Sequence, residues 1–438
     1  MFRIRNNKIN PRKGRPILNI ADSFRPFVWI NGLMGFGMIE MPYGRPWPKL
    51  SVFYGLLRAI AFSILSWYVF KNIQPNTRIS ALMFLIYKII IAASVGAVVI
   101  SSIMGLINHE KSKKLYKKIK LVDETLKMFG VEPEYASDLR RNRNIIINYY
   151  RAIIVLFIIK LGSSYIFSRE AFCTRNILNV LYFNIPSIIN PLVDINYTSK
   201  IHVLEKRFER LNALIHNVTT SPSKMMHTHD FKKYEMILNN RGVISVIPKY
   251  CFKNRNNIEH LLKVTRQLHL DLCNTARNMN NLIYTQMSAQ LSAIFVHLTA
   301  GTYCFYFIFN EKTIIPLQAK IHSYVLLIFS IICGIVRIIL ITYATAGKIS
   351  KILHEIQIQN TEKKLTNEIH QFCMQLKQHP LSFTVCGFVE LNFSYVTGFV
   401  GAVTTYLMIL IQNQTDMIEA AKTMVDPIKS NSTSVTPA

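Results

Sequence analysis

The sequence predicts an all-α membrane protein of seven transmembrane helices, with a cytoplasmic N-terminus, an extracellular C-terminus and helices extended into a cytoplasmic bundle. Three observations lead there. Half of the 438 residues are hydrophobic despite a formal net charge of +27, and the mean hydropathy is +0.22. Apolar runs of spanning length recur along the chain. Lys and Arg are concentrated in alternate intervals between those runs. A soluble nucleic-acid binder of this charge would not devote so much of its length to unbroken apolar stretches, so nucleic acid is not an expected partner.

Residues 1–50 form an expected cytoplasmic N-terminal segment. Arg3, Arg5, Lys8, Arg12, Lys13 and Arg15 lead into no compact apolar core with a small-residue cleavage site, so a cleavable signal peptide is not expected. For residues 1–20, an interfacial approach and a basic tail held near anionic lipid are both open. Residues 51–198 hold transmembrane helices 1–4, at 51–70, 79–107, 145–167 and 177–197, with a cytoplasmic loop at 108–144. The fourth contains Asn184, Pro186, Asn190, Pro191 and Asp194, a composition for a kinked helix packed against protein. In the 108–144 loop, Lys111, Lys113, Lys114, Lys117, Lys118 and Lys120 alternate with apolar residues, which suits attraction to anionic membrane lipid or simple topology control.

Residues 199–285 read as cytoplasmic helical extensions and a mobile loop. Apolar residues recur at three- and four-residue spacing over 201–215 and again from Leu261 to Leu282. Between them, about 217–257, periodicity lapses around Ser221-Pro222-Ser223. Residues 286–346 hold transmembrane helices 5 and 6, at 286–309 and 321–346. Residues 347–384 form a cytoplasmic helix, 385–412 the seventh transmembrane helix (span 385–411), and 413–438 an extracellular tail.

Loop charge sets the orientation. The N-terminal segment and the loops after spans two, four and six carry about nine, ten, fourteen and five Lys and Arg, against about two in each remaining interval. The first group belongs inside the cell. G-protein-coupled receptors have the opposite orientation, and neither Asp-Arg-Tyr after span three nor Asn-Pro-x-x-Tyr in span seven occurs.

Of the seven cysteines, only Cys173 falls clearly in an outside loop, and none forms a Cys-x-x-Cys pair. His227-x-His229 reads as a solvated pair in a polar loop. No zinc-protease helix, phosphate loop or nucleophile elbow appears, so neither an enzyme nor a metal or other cofactor is expected. Of the ionisable residues within the spans, two invite closer weighing. Arg337 reads equally as a helix-packing or gating charge and as a side chain snorkelling to the interface; Glu390 reads as snorkelling from the inner side.

At about 100° per residue, Gly398, Gly401, Thr405, Met408 and Gln412 share one face of the last span. That face suits a protein neighbour or water. Thr405-Tyr406, five apolar residues and Gln412 resemble the closing signature of the insect gustatory receptors, with Asn413 where the family usually has Phe. The entry at Ser23-Phe24-Arg25-Pro26 and 32–37 is also similar to theirs.

The resemblance implies a tastant-gated, non-selective cation channel in the plasma membrane of sensory-neuron dendrites. It would work as a homotetramer or a heteromer with related receptors; an auxiliary subunit needing a related receptor to conduct is the alternative. It further implies a pore lined by Gly398, Gly401, Thr405, Met408, Ile409, Gln412 and Asn413. A small-molecule tastant is expected in the outer halves of spans three to six, near Tyr165, Tyr182, Asn184, Thr299, Thr302, Tyr303, Tyr306, His322 and Tyr324. Each of these is also an ordinary candidate for core or interfacial belt. Trp29, Trp47 and Trp67 all lie near the N-terminus, leaving tyrosine to supply any stacking in those spans.

Overall fold

The computed structural model describes residues 19–41, 44–72, 81–129, 131–168, 174–220, 256–310, 328, 331–341, 363–378, 381–385, 387 and 389–431. The chain enters through two short helices, α1 (Ile20–Ser23) and α2 (Arg25–Met34). Pro26 occupies the first turn of α2, where a missing N–H breaks no intrahelical bond. Gly35 ends the helix at φ 73°, a left-handed conformation that glycine adopts without strain. The Phe36 N–H then donates to the Asn31 carbonyl at 2.7 Å.

Next come α3 (Pro48–Asn72), α4 (Ala81–Ile107), α5 (His109–Met128) and α6 (Tyr135–Ser168). α5 is amphipathic: Leu115, Ile119, Val122 and Leu126 are buried at helical spacing, while Lys111, Lys114, Lys117 and Lys118 are exposed. α7 (Thr174–Thr220) and α8 (Asn256–Asn310) are single helices of 47 and 55 residues. Each joins an expected span to its expected extension without a break. α7 stays helical through Pro186 and Pro191, and Asn190, Leu192, Val193 and Asp194 are buried against protein.

Among the described residues, five helices are long and apolar enough to cross a membrane: Pro48–Leu65, Lys88–Ile107, Tyr135–Ile159, Leu262–Asn310 and Phe393–Asn413. A shorter apolar helix, α9 (Ile331–Ile341), lies within the sixth expected span, and α7 covers the fourth. The protein is a multi-pass helical membrane protein. α10 (Lys363–Gln378) follows. Residues 221–255, with His227, His229 and the centre of the expected mobile loop, lie outside the described residues, as do Cys173 and 342–362.

The last helix begins later than the sequence suggests. Thr384–Val385 (β1) and Val389–Glu390 (β2) form an antiparallel hairpin, with Thr384 opposite Glu390 and Val385 opposite Val389. Gly387 lies between them at φ 75°. A short apolar stretch has too little length for its period to separate a strand from the first turns of a helix, and the left-handed glycine interrupts the helix here. Glu390 is therefore an exposed hairpin residue and not part of the span. α11 (Phe393–Asn431) starts beyond Asn392, whose side-chain oxygen accepts from the Tyr395 N–H at 3.1 Å. It continues past the expected end at 412.

The main core runs from α1 and α2 through α5, α7 and α8 to α10, the hairpin and the start of α11. Arg207 lies inside it, fully buried. Its guanidinium donates to Asp123 at 3.1 and 3.0 Å and to Asp138 at 3.3 Å. Lys206 reaches Asp138 at 2.8 Å, and the Tyr135 hydroxyl donates to Asp123 at 2.9 Å. Burial opposes the charge on Arg207, but the two carboxylates outweigh it and hold its pKa above the ordinary value. The cluster ties α5, α6 and α7 together. We call this end of the molecule the basal bundle.

Candidate functional site

The last helix has two unlike sides. One packs on α8: the Phe295 ring stands edge-on to Phe399 at 5.5 Å and to Tyr406 at 5.6 Å. One turn further, Leu407, Leu410 and Ile411 pack against a cluster of Ile86, Ala300, Tyr303, Cys304 and Ile308. The other side carries Gly398, Gly401, Thr405, Met408, Ile409, Gln412 and Asn413, all exposed in the single chain. A side chain built at Gly398 or Gly401 would meet nothing within 4 Å. The Thr405 hydroxyl donates to the Gly401 carbonyl at 2.9 Å, so its proton is satisfied within the helix and its oxygen remains an outward acceptor.

The expected ligand residues fall in several places. Thr299, Thr302, Tyr303 and Tyr306 lie on successive turns of α8. Tyr303 is fully buried in the cluster that touches α11, and Tyr306 is partly buried. The Thr302 hydroxyl turns back onto its own helix, 2.8 Å from the Leu298 carbonyl and 3.0 Å from that of Thr299. The buried Thr299 hydroxyl has no hydrogen-bond partner among the described residues. Tyr165 falls on α6, and Tyr182 and Asn184 on α7. His322 and Tyr324 lie outside the described residues.

A polar chain crosses the membrane-spanning helices. Arg337 on α9 donates to Asp194 at 2.6 Å and to the side-chain Oε1 of Gln290 at 2.7 Å. Gln290 donates in turn to Asn190 at 3.0 Å and to the Ser101 hydroxyl at 3.2 Å. Asn190 then reaches the Ser94 carbonyl at 3.2 Å. Arg337 is thus a helix-packing charge joined to α4, α7 and α8, and snorkelling is not its role. An intramembrane charge needs a partner. Glu390 and Asp194 are the carboxylates within the expected spans; once Glu390 is placed in a hairpin, Asp194 remains. Among the described residues, no group of three or more His, Cys, Asp or Glu could hold a metal ion.

A family profile described as 7tm Chemosensory receptor matches residues 27–415. The chain belongs to the 7tm chemosensory receptor family. This chemosensory receptor is 21% identical over 351 residues to "Putative gustatory receptor 28a" of Drosophila melanogaster, covering 72% of the chain and 74% of that protein. It is 27% identical over 165 residues to the gustatory receptor for bitter taste 66a of the same species, covering 36% of the chain and 31% of that protein. The structure of the olfactory receptor OR5 from Machilis hrabei, in complex with eugenol, superposes with a TM-score of 0.58. Sequence identity there is 11%, over 90% of this chain and 99% of the other. The receptor shares the insect chemoreceptor fold.

Proposed function

We propose that this receptor is a tastant-gated, non-selective cation channel of the insect gustatory type, working as a homotetramer or with related subunits in the plasma membrane of sensory-neuron dendrites. The observation that carries the reading is the asymmetry of α11. One side is fixed to α8 by Phe295 and the Tyr303 cluster, while the other offers glycines, a threonine and two amides without a neighbour in the single chain. Close approach of such faces around an axis needs small residues, and a cation path needs polar groups between apolar constrictions. Met408 and Ile409 are the apolar candidates; Thr405, Gln412 and Asn413 are the polar ones.

Tyr303 gives the ligand hypothesis a physical route to the pore helix, because its cluster also holds Leu407, Leu410 and Ile411. A tastant that binds better when this contact is rearranged would favour the open arrangement by that difference in affinity. Receptors for bitter taste and for eugenol among the similar proteins favour small, largely apolar ligands. Tyr303→Phe and Tyr306→Ala are expected to shift the half-activating tastant concentration several-fold with little change in maximal current. Dose–response recordings at matched surface expression check this, and unaltered curves for both would remove the two tyrosines from the site.

Recording tastant-evoked current from cells expressing this chain alone tests the whole reading. Current is expected. Silence alone, with current restored by a related receptor, would make the chain an auxiliary subunit; silence in both settings would overturn the channel reading. The orientation is checked by tags at the two ends of the chain in unpermeabilised cells. Only the C-terminal tag should stain, the outcome expected from the charge asymmetry if residues 1–50 are inside.

A further inference from the structure

A second polar site, with no residue of α11 in its lining, lies where α2 and the segment after it fold over the junction of α4 and α5. Its cavity has a volume of about 210 Å³. This is below the roughly 300–1,000 Å³ of drug-sized sites, room for a head group more than for a flavour molecule. The roof is pinned: Arg58 donates to the Met34 carbonyl and, at 2.6 Å, to the Ser102 hydroxyl. Gly105 of α4 lies directly beneath the Phe36 carbonyl, leaving no space for a Cβ.

Val193, Asn196 and Lys200 form the α7 wall, at the i, i+3, i+7 spacing of one helix face. Lys200 is three residues beyond the expected end of the fourth span, and Asn108 and His109 follow the end of α4. The cavity thus sits where two spans leave the hydrocarbon. Phe27, Met104 and Leu282 add apolar lining.

The charges in the cavity do not balance. Its carboxylate, Glu40, lies 3.6 Å from Lys113 and 3.4 Å from His109. Lys113 matches that charge and also lies 4.0 Å from the exposed Glu110, which does not line the cavity. Lys200 has no carboxylate partner among the described residues, and burial alone holds its pKa down to about 8. Asn31 Oδ1, an acceptor, is buried without a hydrogen-bond partner among the described residues, and His109 Nε2 makes no aligned hydrogen bond to the Glu40 oxygen 3.4 Å away. A partly buried ammonium without a carboxylate partner among the described residues, beside a buried amide acceptor, calls for an anion that also carries a hydrogen-bond donor, as a singly protonated phosphate does.

We propose that this cavity binds a phosphate monoester, with Lys200 as the principal cation and His109 and Asn31 as hydrogen-bonding partners. The group can come from an anionic phospholipid head group or from a soluble phosphate. The apolar lining at the membrane boundary suits the former, and the two sources are separated by experiment. The site is independent of the pore reading.

Full-length receptor in phosphatidylcholine nanodiscs would be titrated with dioctanoyl phosphatidic acid and, separately, with inorganic phosphate. Hydrogen exchange would be read over residues 25–40 and 193–200. Saturable protection by the lipid alone assigns the head group, and equal protection by inorganic phosphate assigns a soluble anion; either supports the site. Lys200→Met should weaken the response at least tenfold, and Lys200→Arg should retain it. Protection of Lys200→Met equal to that of the wild type overturns the proposal. So does absence of protection in the wild type with both probes, a result that does not depend on whether the variant folds.

Discussion

Gln412→Lys is expected to abolish cation current or move its reversal potential towards anions. Gln412 lies two turns beyond Thr405 on the exposed side of α11. An ammonium about 8 Å from a permeating cation, at an effective dielectric of about 20, repels it by roughly 2 kcal/mol, which lowers occupancy by more than tenfold. Repetition of that charge around a shared path would enlarge the effect. Leu407→Ala is the control, because Leu407 is directed into the Tyr303 cluster; it should leave selectivity intact. Reversal potentials in asymmetric salt decide the matter. If Gln412→Lys channels reach the surface and conduct with unchanged selectivity, this face does not line the path.

Arg207→Met should be the most destabilising single change in the basal bundle. Among the described residues, it leaves buried Asp123 with the Tyr135 hydroxyl as its side-chain partner and Asp138 with Lys206. Breaking a buried ion pair from one side costs about 3–5 kcal/mol, enough to deplete a folded membrane protein from the cell surface. Because the loss arises from an uncompensated carboxylate, Asp123→Asn in the same chain should recover part of it. Surface biotinylation and thermal unfolding of the purified variants provide the readouts. A single variant as stable as the parent would show that the cluster does not hold the bundle.

The parts of this protein written in local patterns were legible in its sequence. The amphipathic stripe of α5 and the long apolar runs follow from spacing alone. α2 was also within reach, since Pro26 in its first turn and Gly35 at its end are ordinary helix punctuation. The hairpin was not. Over Thr384–Glu390 apolar character runs into that of the last helix, and only the conformation of Gly387 and the pairing across it reveal two strands. Long-range partners were hidden for a different reason. Arg337 and Asp194 are separated by 143 residues, and Arg207 and Asp123 by 84. Sequence position states that such charges need a mate without naming it. For the last helix, periodicity identified which residues share a side, but not which side would meet α8.

The unbroken length of α8 has a mechanical consequence. At 1.5 Å per residue its 55 residues form a rod about 80 Å long, while a bilayer's hydrocarbon is about 30 Å thick. Such a rod has no joint at the membrane surface, so tilting its outer end about a fulcrum in the bilayer swings its inner end the opposite way. α11 is not part of that lever: the hairpin interrupts the backbone below it, while the Asn280 amide of α8 grips the Thr384 carbonyl at 3.0 Å. The last helix is therefore mounted on the rod at its foot and rests against it through aromatic rings above. A small tilt of α8 becomes sliding at Phe295, Phe399 and Tyr406, with no hydrogen bond of either helix having to break.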